Sequence, residues 1–415
     1  MSWCVVGLAL ACLGGVLVTR FRLAHFVSGV PWWLENAIKN AIRWVDLPRT
    51  HHLADTTRLL ATLPGTDPPI FATFLHKHRI RGTMKMRPPA TLMIGKSKSF
   101  KRLKMRILVV GAGAVGGYFG GRLAAAGQDV TFLVRAGRAE KLRSDGLVIN
   151  SPRGNLQLPD VKTILAGVAA EPFDLVLLSC KAYSLDDAID SFTPFVGEDT
   201  LILPMLNGMR HIDVLTAHFG KERVLGGQCV IAATLNAEQH IMHLNDMHAI
   251  TFGELVGGTS ERTEALADAM SGANFDVAVS DNILLRMWEK WVFLATLAAS
   301  TCLMRGSVGD ILAAPDGKRV IENLLGECRA AAEHNGFTMA ADFDVRATQV
   351  LLTPSPLTAS MLRDVENRSH TEADHILGDL ISRGGDAQKG EHGVSLLRIA
   401  YSHLKTYEAR QTRTS

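Results

Sequence analysis

Apolar residues are grouped unevenly along this chain, and the grouping predicts its elements. A short apolar run at residues 107–110 (ILVV) stops at glycine, and a stretch of small residues at helical spacing follows to Ala126, where Gly127 ends it. Short apolar runs bounded by turn signals read as strands, and longer stretches repeating every 3.6 residues read as helices. On that basis residues 129–134 (DVTFLV), 174–179 (DLVLLS), 200–206 (TLILPML), 224–233 and 250–254 are expected strands. The unbroken apolarity of 174–179 suits a parallel strand buried on both faces. From about residue 281 the pattern turns helical. Residues 284–301 (LLRMWEKWVFLATLAAST) are apolar apart from Arg286, Glu289, Lys290 and a few small hydroxyls, so this helix is expected to be enclosed on all sides. Strands alternating with helices, then helices alone, predict an α/β chain with a doubly wound sheet in residues 105–272 and an all-helical domain in 281–405.

The turn after the first strand gives the sheet a candidate ligand. Gly111-Ala112-Gly113-Ala114-Val115-Gly116 is a G-x-G-x-x-G between a strand and a helix, the dinucleotide-binding fingerprint of a Rossmann-type fold. In that reading Gly111 permits the tight turn, Gly113 lets the backbone approach a pyrophosphate, and Gly116 allows helix to pack on strand. The pyrophosphate would sit at the donor-rich, positive end of the helix. The second strand runs into Arg135, with Arg138 close by and no carboxylate at its tip, which suits the 2′-phosphate of NADP(H) better than the bare ribose of NAD(H).

Composition divides the chain in two. Net charge is +3 over 415 residues, but residues 1–104 carry 16 Lys+Arg against 4 Asp+Glu, and the remainder 28 against 37. Residues 2–18 are apolar and uncharged, marginal for a membrane span and without a secretory n-region. Trp32, Trp33 and Trp44 fit a short amphipathic helix, and 76–104 is basic and irregular. This first segment is read as a poorly structured N-terminal extension, with Met105 as an alternative start of the protein. It shows no nucleic-acid-binding module. Six cysteines lack paired spacing, which fits reduced thiols and a cytoplasmic protein, with membrane attachment through 2–18 as the alternative.

Polar residues at strand ends and in the buried helix are the remaining candidates. Lys181 follows the 174–179 strand and Asn207-Gly208 the 200–206 strand, so both tips face the crevice where such sheets bind ligands. Lys290 shares a helical face with Leu294 and Ala298; apolar neighbours disfavour its charged form and suit it to giving up a proton. Adjacent Glu289 faces elsewhere. His370, Glu372, Asp374 and His375 do not share one face, and no metal site is assigned to them.

Taken in order, GAGAVG, Arg135, CKAY around Lys181, LNG around Asn207, WEK around Lys290, SMLRD from Ser360 and HTEAD around Glu372 resemble the ketopantoate reductase (2-dehydropantoate 2-reductase) family. The resemblance runs from Met105 to about Lys405. It implies reduction of ketopantoate to pantoate by NADPH, on the route to pantothenate. It further implies that Gly111 to Gly116 and Arg135 hold the NADP(H) phosphates, that Lys181, Asn207 and Ala233 line the cofactor, and that Glu372 stands at the cofactor and active-site cleft. Lys290 corresponds to the proton donor and substrate contact, and Ser360, with Asn207, to substrate contacts. A small 2-oxo acid is then the partner, and a homodimer is compatible. The chain departs from the family where asparagines follow the lysine by four and eight residues, here Leu294 and Ala298, and where Gly393-Val394-Ser395-Leu396-Leu397 lacks the family's proline. A reductase of another 2-oxo acid is therefore one alternative, and an NADP(H)-holding sensor without turnover is another.

Overall fold

The structure is a computed structural model that describes residues 104–385 and 393–414. They lie in one compact unit covering residues 98–415. The expectations placed on residues 1–103 lie outside the described residues.

Strand β1 (Arg106–Val110) passes through the glycine turn into helix α1 (Ala114–Ala125) and returns as β2 (Asp129–Leu133). Next come α2 (Ala136–Asp145), β3 (Leu147–Asn150), β4 (Leu156–Leu158), β5 (Lys162–Ile164), β6 (Leu175–Leu178), α3 (Leu185–Phe192), β7 (Leu201–Pro204) and α4 (Arg210–Phe219). Five of these strands form a parallel sheet in the order β5-β2-β1-β6-β7. The order reverses at β1, so the crevice beyond the carboxyl ends of β1 and β6 is where a ligand seats in such a sheet.

Two expected strands leave that sheet. β8 (Leu225–Leu235) and β9 (Ile241–Glu254) form a long antiparallel hairpin. With β3, β4 and β10 (Asp276–Val279), which follows α5 (Glu261–Met270), the hairpin builds a second five-stranded sheet. Only the last third of β9 carries an apolar run. Its first residues, IMHLNDMHA, mix buried and exposed positions and hide the strand in the sequence.

Helix α1 is held between the two sheets, which explains its small residues. A Cβ at Gly120 would come within 2.7 Å of Phe132 on β2, and one at Gly121 within 2.6 Å of Leu147 on β3.

The second half is helical: α6 (Ile283–Met304), α7 (Val308–Ala313), α8 (Gly317–His334), α9 (Ala341–Leu351), α10 (Ser360–Glu366), a π-helical turn at Asp374–Gly378 that runs into α11 (Asp379–Arg383), and α12 (Leu396–Thr414). α6 is the axis, packed against α8, α10 and α12 and against β8. Its Asn282 cap accepts from the Leu285 N–H, and Arg305 ends it in the left-handed conformation. One apolar core runs from Leu108 and Val176 of the parallel sheet to Trp288 and Trp291 of α6 without a break. Among the described residues no helix is long and apolar enough to cross a membrane.

Trp291 is fully buried, and its indole N–H donates to the Ile376 carbonyl at 2.9 Å. Trp291→Ala is expected to cost about 3–5 kcal/mol, read as a lowered midpoint in urea denaturation.

Candidate active site

The glycine turn has the geometry that a dinucleotide needs. Gly111 has a φ of +93°, and its N–H donates to the Leu133 carbonyl at 3.0 Å. A Cβ on Gly113 would meet nothing within 4 Å, so its backbone borders open space. A Cβ on Gly116 would come within 2.0 Å of Ser179 Oγ and 2.3 Å of the Gly111 carbonyl. The start of α1 has neither a side-chain cap nor an acidic residue in its first turn, so its free N–H groups are available to an anion. These residues fit a pyrophosphate.

The two arginines beyond β2 have different occupations. Arg138 is committed to the protein: its Nε donates to the Ala112 carbonyl at 3.0 Å and its Nη1 to the Gln239 carbonyl at 3.1 Å. It thereby ties the glycine turn to the tip of the β8–β9 hairpin. Arg135 is 85% exposed, and its nearest carboxylate is Asp187 at 3.9 Å, which leaves its guanidinium open to a phosphate.

Beyond β6, Lys181 joins the two halves of the protein. Its ammonium donates to Glu372 at 3.1 Å and to Asp364 on α10 at 3.3 Å, while the other Glu372 oxygen accepts from the Ala182 N–H at 3.0 Å. Burial lowers the Lys181 pKa, but the two carboxylates outweigh it and hold the ammonium above its ordinary value. Ser360 opens α10 one turn before Asp364, on the same face and exposed.

Lys290 has the opposite surroundings. Its ammonium donates to the Cys229 carbonyl of β8 at 2.6 Å, and no carboxylate pairs with it among the described residues. Desolvation lowers its pKa below the ordinary 10.5. Adjacent Glu289 points away, bound to Arg286 at 3.0 Å and to the Ala340 N–H at 3.2 Å. Along α6, Leu294 is half-buried and Ala298 buried.

Asn207 and Gly208 follow β7, and two histidines pack behind them. The His375 ring, on the π-helical turn, packs against the Asn207–Gly208 loop and lies 3.1 Å from where a Gly208 Cβ would stand. His211, one residue into α4, is wholly buried with its ring centroid 5.6 Å from that of His375. Desolvation holds both imidazoles below their ordinary pKa, His211 well below.

The structure therefore brings Lys181 and Glu372 together, with Ser360 one helical turn from their partner Asp364, and sets Asn207 beyond the neighbouring strand β7. Ala233 stands apart: it pairs with His243 past an irregularity in β8 and hydrogen-bonds none of the other candidates among the described residues. The four acidic and imidazole residues of the HTEADH stretch disperse. Glu372 goes to Lys181, Asp374 to Tyr401 and Lys405, His370 to Tyr183 and His375 to His211. Among the described residues no cluster of His, Cys, Asp and Glu has metal-holding geometry. Asp364 and the histidine pair had no assignment from sequence. Asp364 stood inside the SMLRD motif, and only the fold reveals that the histidines, 164 positions apart, meet.

The family models agree with this geometry. The ketopantoate reductase PanE/ApbA model matches residues 107–257, and its C-terminal model matches residues 282–408. The chain belongs to the ketopantoate reductase family. Among curated relatives, an uncharacterized oxidoreductase, YkpB, of Bacillus subtilis is 40% identical over 74% of this chain and all of its own length. A 2-dehydropantoate 2-reductase of a Nostoc species is 25% identical over 73% of this chain and 95% of its own. Among solved structures, the 2-dehydropantoate 2-reductase of Geobacter metallireducens superposes with a TM-score of 0.66 at 28% identity, covering 73% of this chain and 99% of that one. As a member of this family, the protein is an oxidoreductase with a Rossmann-type domain and a helical domain.

Two outcomes follow from the packing. Gly116→Ala is expected to destabilise the protein by about 1–3 kcal/mol, measured by thermal melting, because its Cβ meets backbone as well as Ser179. Acid is expected to weaken the fold through His211, since in the unfolded chain this group protonates near its ordinary 6.5 and in the folded one only well below. Stability is then present above pH 6.5 and lost as pH falls beneath it, by up to about 1.4 kcal/mol per pH unit for each such imidazole. His211→Phe should flatten the fall of Tm between pH 7 and pH 5.

Proposed function

We propose that this protein is a cytoplasmic, NADPH-dependent reductase of a 2-oxo acid, with ketopantoate as the first candidate substrate and pantoate as its product. The observation that carries the reading is the contrast between the two lysines. Lys181 is neutralised by two carboxylates and kept charged, as a binding residue should be. Lys290 is held on a neutral carbonyl with its pKa lowered, as a proton donor should be. A sensor that merely held the nucleotide would have no use for a desolvated lysine without a counter-ion.

The glycine turn and the start of α1 would hold the pyrophosphate, and Arg135 the 2′-phosphate. Lys181 and Asn207 would line the cofactor toward its nicotinamide end, with Glu372 fixing Lys181 and Ser360 contacting the substrate. When bound, NADPH supplies a hydride to the C2 carbonyl carbon. Negative charge then develops on the carbonyl oxygen, and the Lys290 ammonium stabilises it and delivers a proton, leaving a neutral amine that regains its proton from solvent. The apolar Leu294 and Ala298 on the Lys290 face favour a second reading, a 2-oxo acid whose side chain is more apolar than that of ketopantoate.

The test is loss of NADPH absorbance with ketopantoate beside a panel of alkyl and aryl 2-oxo acids, repeated with NADH. Lys290→Ala should lower kcat by about 10²–10⁴-fold. Wild-type kcat should fall at alkaline pH with a midpoint below 10.5 as Lys290 loses its proton. Lys181→Ala should chiefly raise the KM for NADPH, and Arg135→Ala should narrow the preference for NADPH over NADH. NADPH that binds but is oxidised with no 2-oxo acid would move the protein to the sensor class.

A further inference from the structure

We propose that His375, backed by His211, is a positioning residue that sets the Asn207–Gly208 loop at the cofactor's nicotinamide end. The proposal rests on the reading of the Asn207 loop as part of the reductase site. Three observations support it. The His375 ring packs against the Asn207–Gly208 loop, with its Cδ2 and Nε2 3.1–3.2 Å from where a Gly208 side chain would be. His375 belongs to the helical half, on the π-helical turn three residues after Glu372, so the short segment whose Glu372 pairs with Lys181 also packs on the neighbouring strand end. His211 has no hydrogen-bond partner at either ring nitrogen among the described residues, and neither has His375 Nε2. A fully enclosed imidazole without partners is costly as packing alone, so this one calls for a purpose beyond filling space.

The charge around the pair defines how it can work. Lys290 and Arg383 act on His211; Arg210, Glu372 and Asp379 act on His375, whose ring in turn disfavours a proton on His211. A proton on His211 would stand buried near two cations and beside a second imidazole. The pair therefore works as neutral rings. A wedge of this kind holds the loop at neutral pH and releases it in acid. His375 also borders a cavity of about 230 Å³ lined by Tyr183, Arg210, Glu372 and Asp374, whereas His211 behind it is wholly buried.

The experiment uses the full chain and three variants. His375→Leu keeps comparable volume and removes the N–H, while His375→Asn and His375→Gln return an N–H at the place of one or the other ring nitrogen. NADPH affinity by fluorescence titration, kcat and KM for the best 2-oxo acid, their pH profiles and Tm are measured for each. The expected result is a fall of about tenfold or more in kcat for His375→Leu, with substrate KM changed less than threefold, and recovery of most of it in one of the amide variants. The acid limb of the wild-type kcat profile should shift in all three. Leucine and amide variants that lose kcat in proportion to Tm, with an unchanged acid limb, would reduce the histidine to a structural part and overturn the proposal. So would a His375→Leu protein with wild-type kcat and NADPH affinity. If His375→Leu does not fold, the amide variants decide through the acid limb. If the wild type binds NADPH but reduces no 2-oxo acid, the reductase reading fails, and the proposal is judged on NADPH affinity, expected to weaken about tenfold in His375→Leu and recover with an amide. A wild type that binds no NADPH overturns both.

Discussion

Lys290 rides on α6, the helix around which the second half of the protein packs, and its ammonium is held against a backbone carbonyl of β8 in the first half. Desolvating a half-buried ammonium that no carboxylate pairs among the described residues is unfavourable, and the lowered pKa expresses that cost. The surroundings that impose it are those of the main core. Trp288, Trp291, Val292 and Ala295 bury the same helix, and full burial of an apolar side chain contributes about 1.5–3 kcal/mol. Several such side chains outweigh one poorly solvated lysine. The fold can therefore keep a reactive group in a place where its charge is disfavoured.

Lys181 shows the converse arrangement and a smaller energy. Its links to Glu372 and Asp364 cross from the parallel sheet to the helical half, but its side chain is 44% exposed, and exposed ion pairs contribute about 0–1 kcal/mol. These pairs orient the two halves locally, whereas the unbroken apolar core holds them together. A contact this weak can be exchanged for a ligand's phosphate or hydroxyl without loss of the fold, which suits a residue that lines a binding crevice.

The glycines of α1 answer two demands at once. Toward its N-terminus the helix must come close to Ser179 and the Gly111 carbonyl so that the turn closes, and further along it must fit between Phe132 of one sheet and Leu147 of the other. A helix that small can lie between two sheets, and its uncapped end is thereby fixed in front of the crevice. Arg138 adds a further tie, from the turn to the β8–β9 hairpin.

Local pattern determined much of this. The strand–glycine–helix order, the tips at Lys181 and Asn207, the largely buried helix of Lys290, which leaves Arg286 exposed and Lys290 half-buried, and the change from α/β to helical organisation were readable, because each depends on residues close in sequence. The second sheet was not, since β9 begins in a mixed polar stretch whose apolar positions make sense only opposite β8. Nor could sequence show that Arg138 is consumed by the hairpin while Arg135 is left open, because a side chain's partner lies wherever the chain returns. The same holds for Asp364 beside Lys181 and for His211 beside His375. The sequence by itself determined which residues carry charge, turn and apolar face. Tertiary structure alone decided which of two lysines received counter-ions, and that follows from packing across distances that no local pattern encodes.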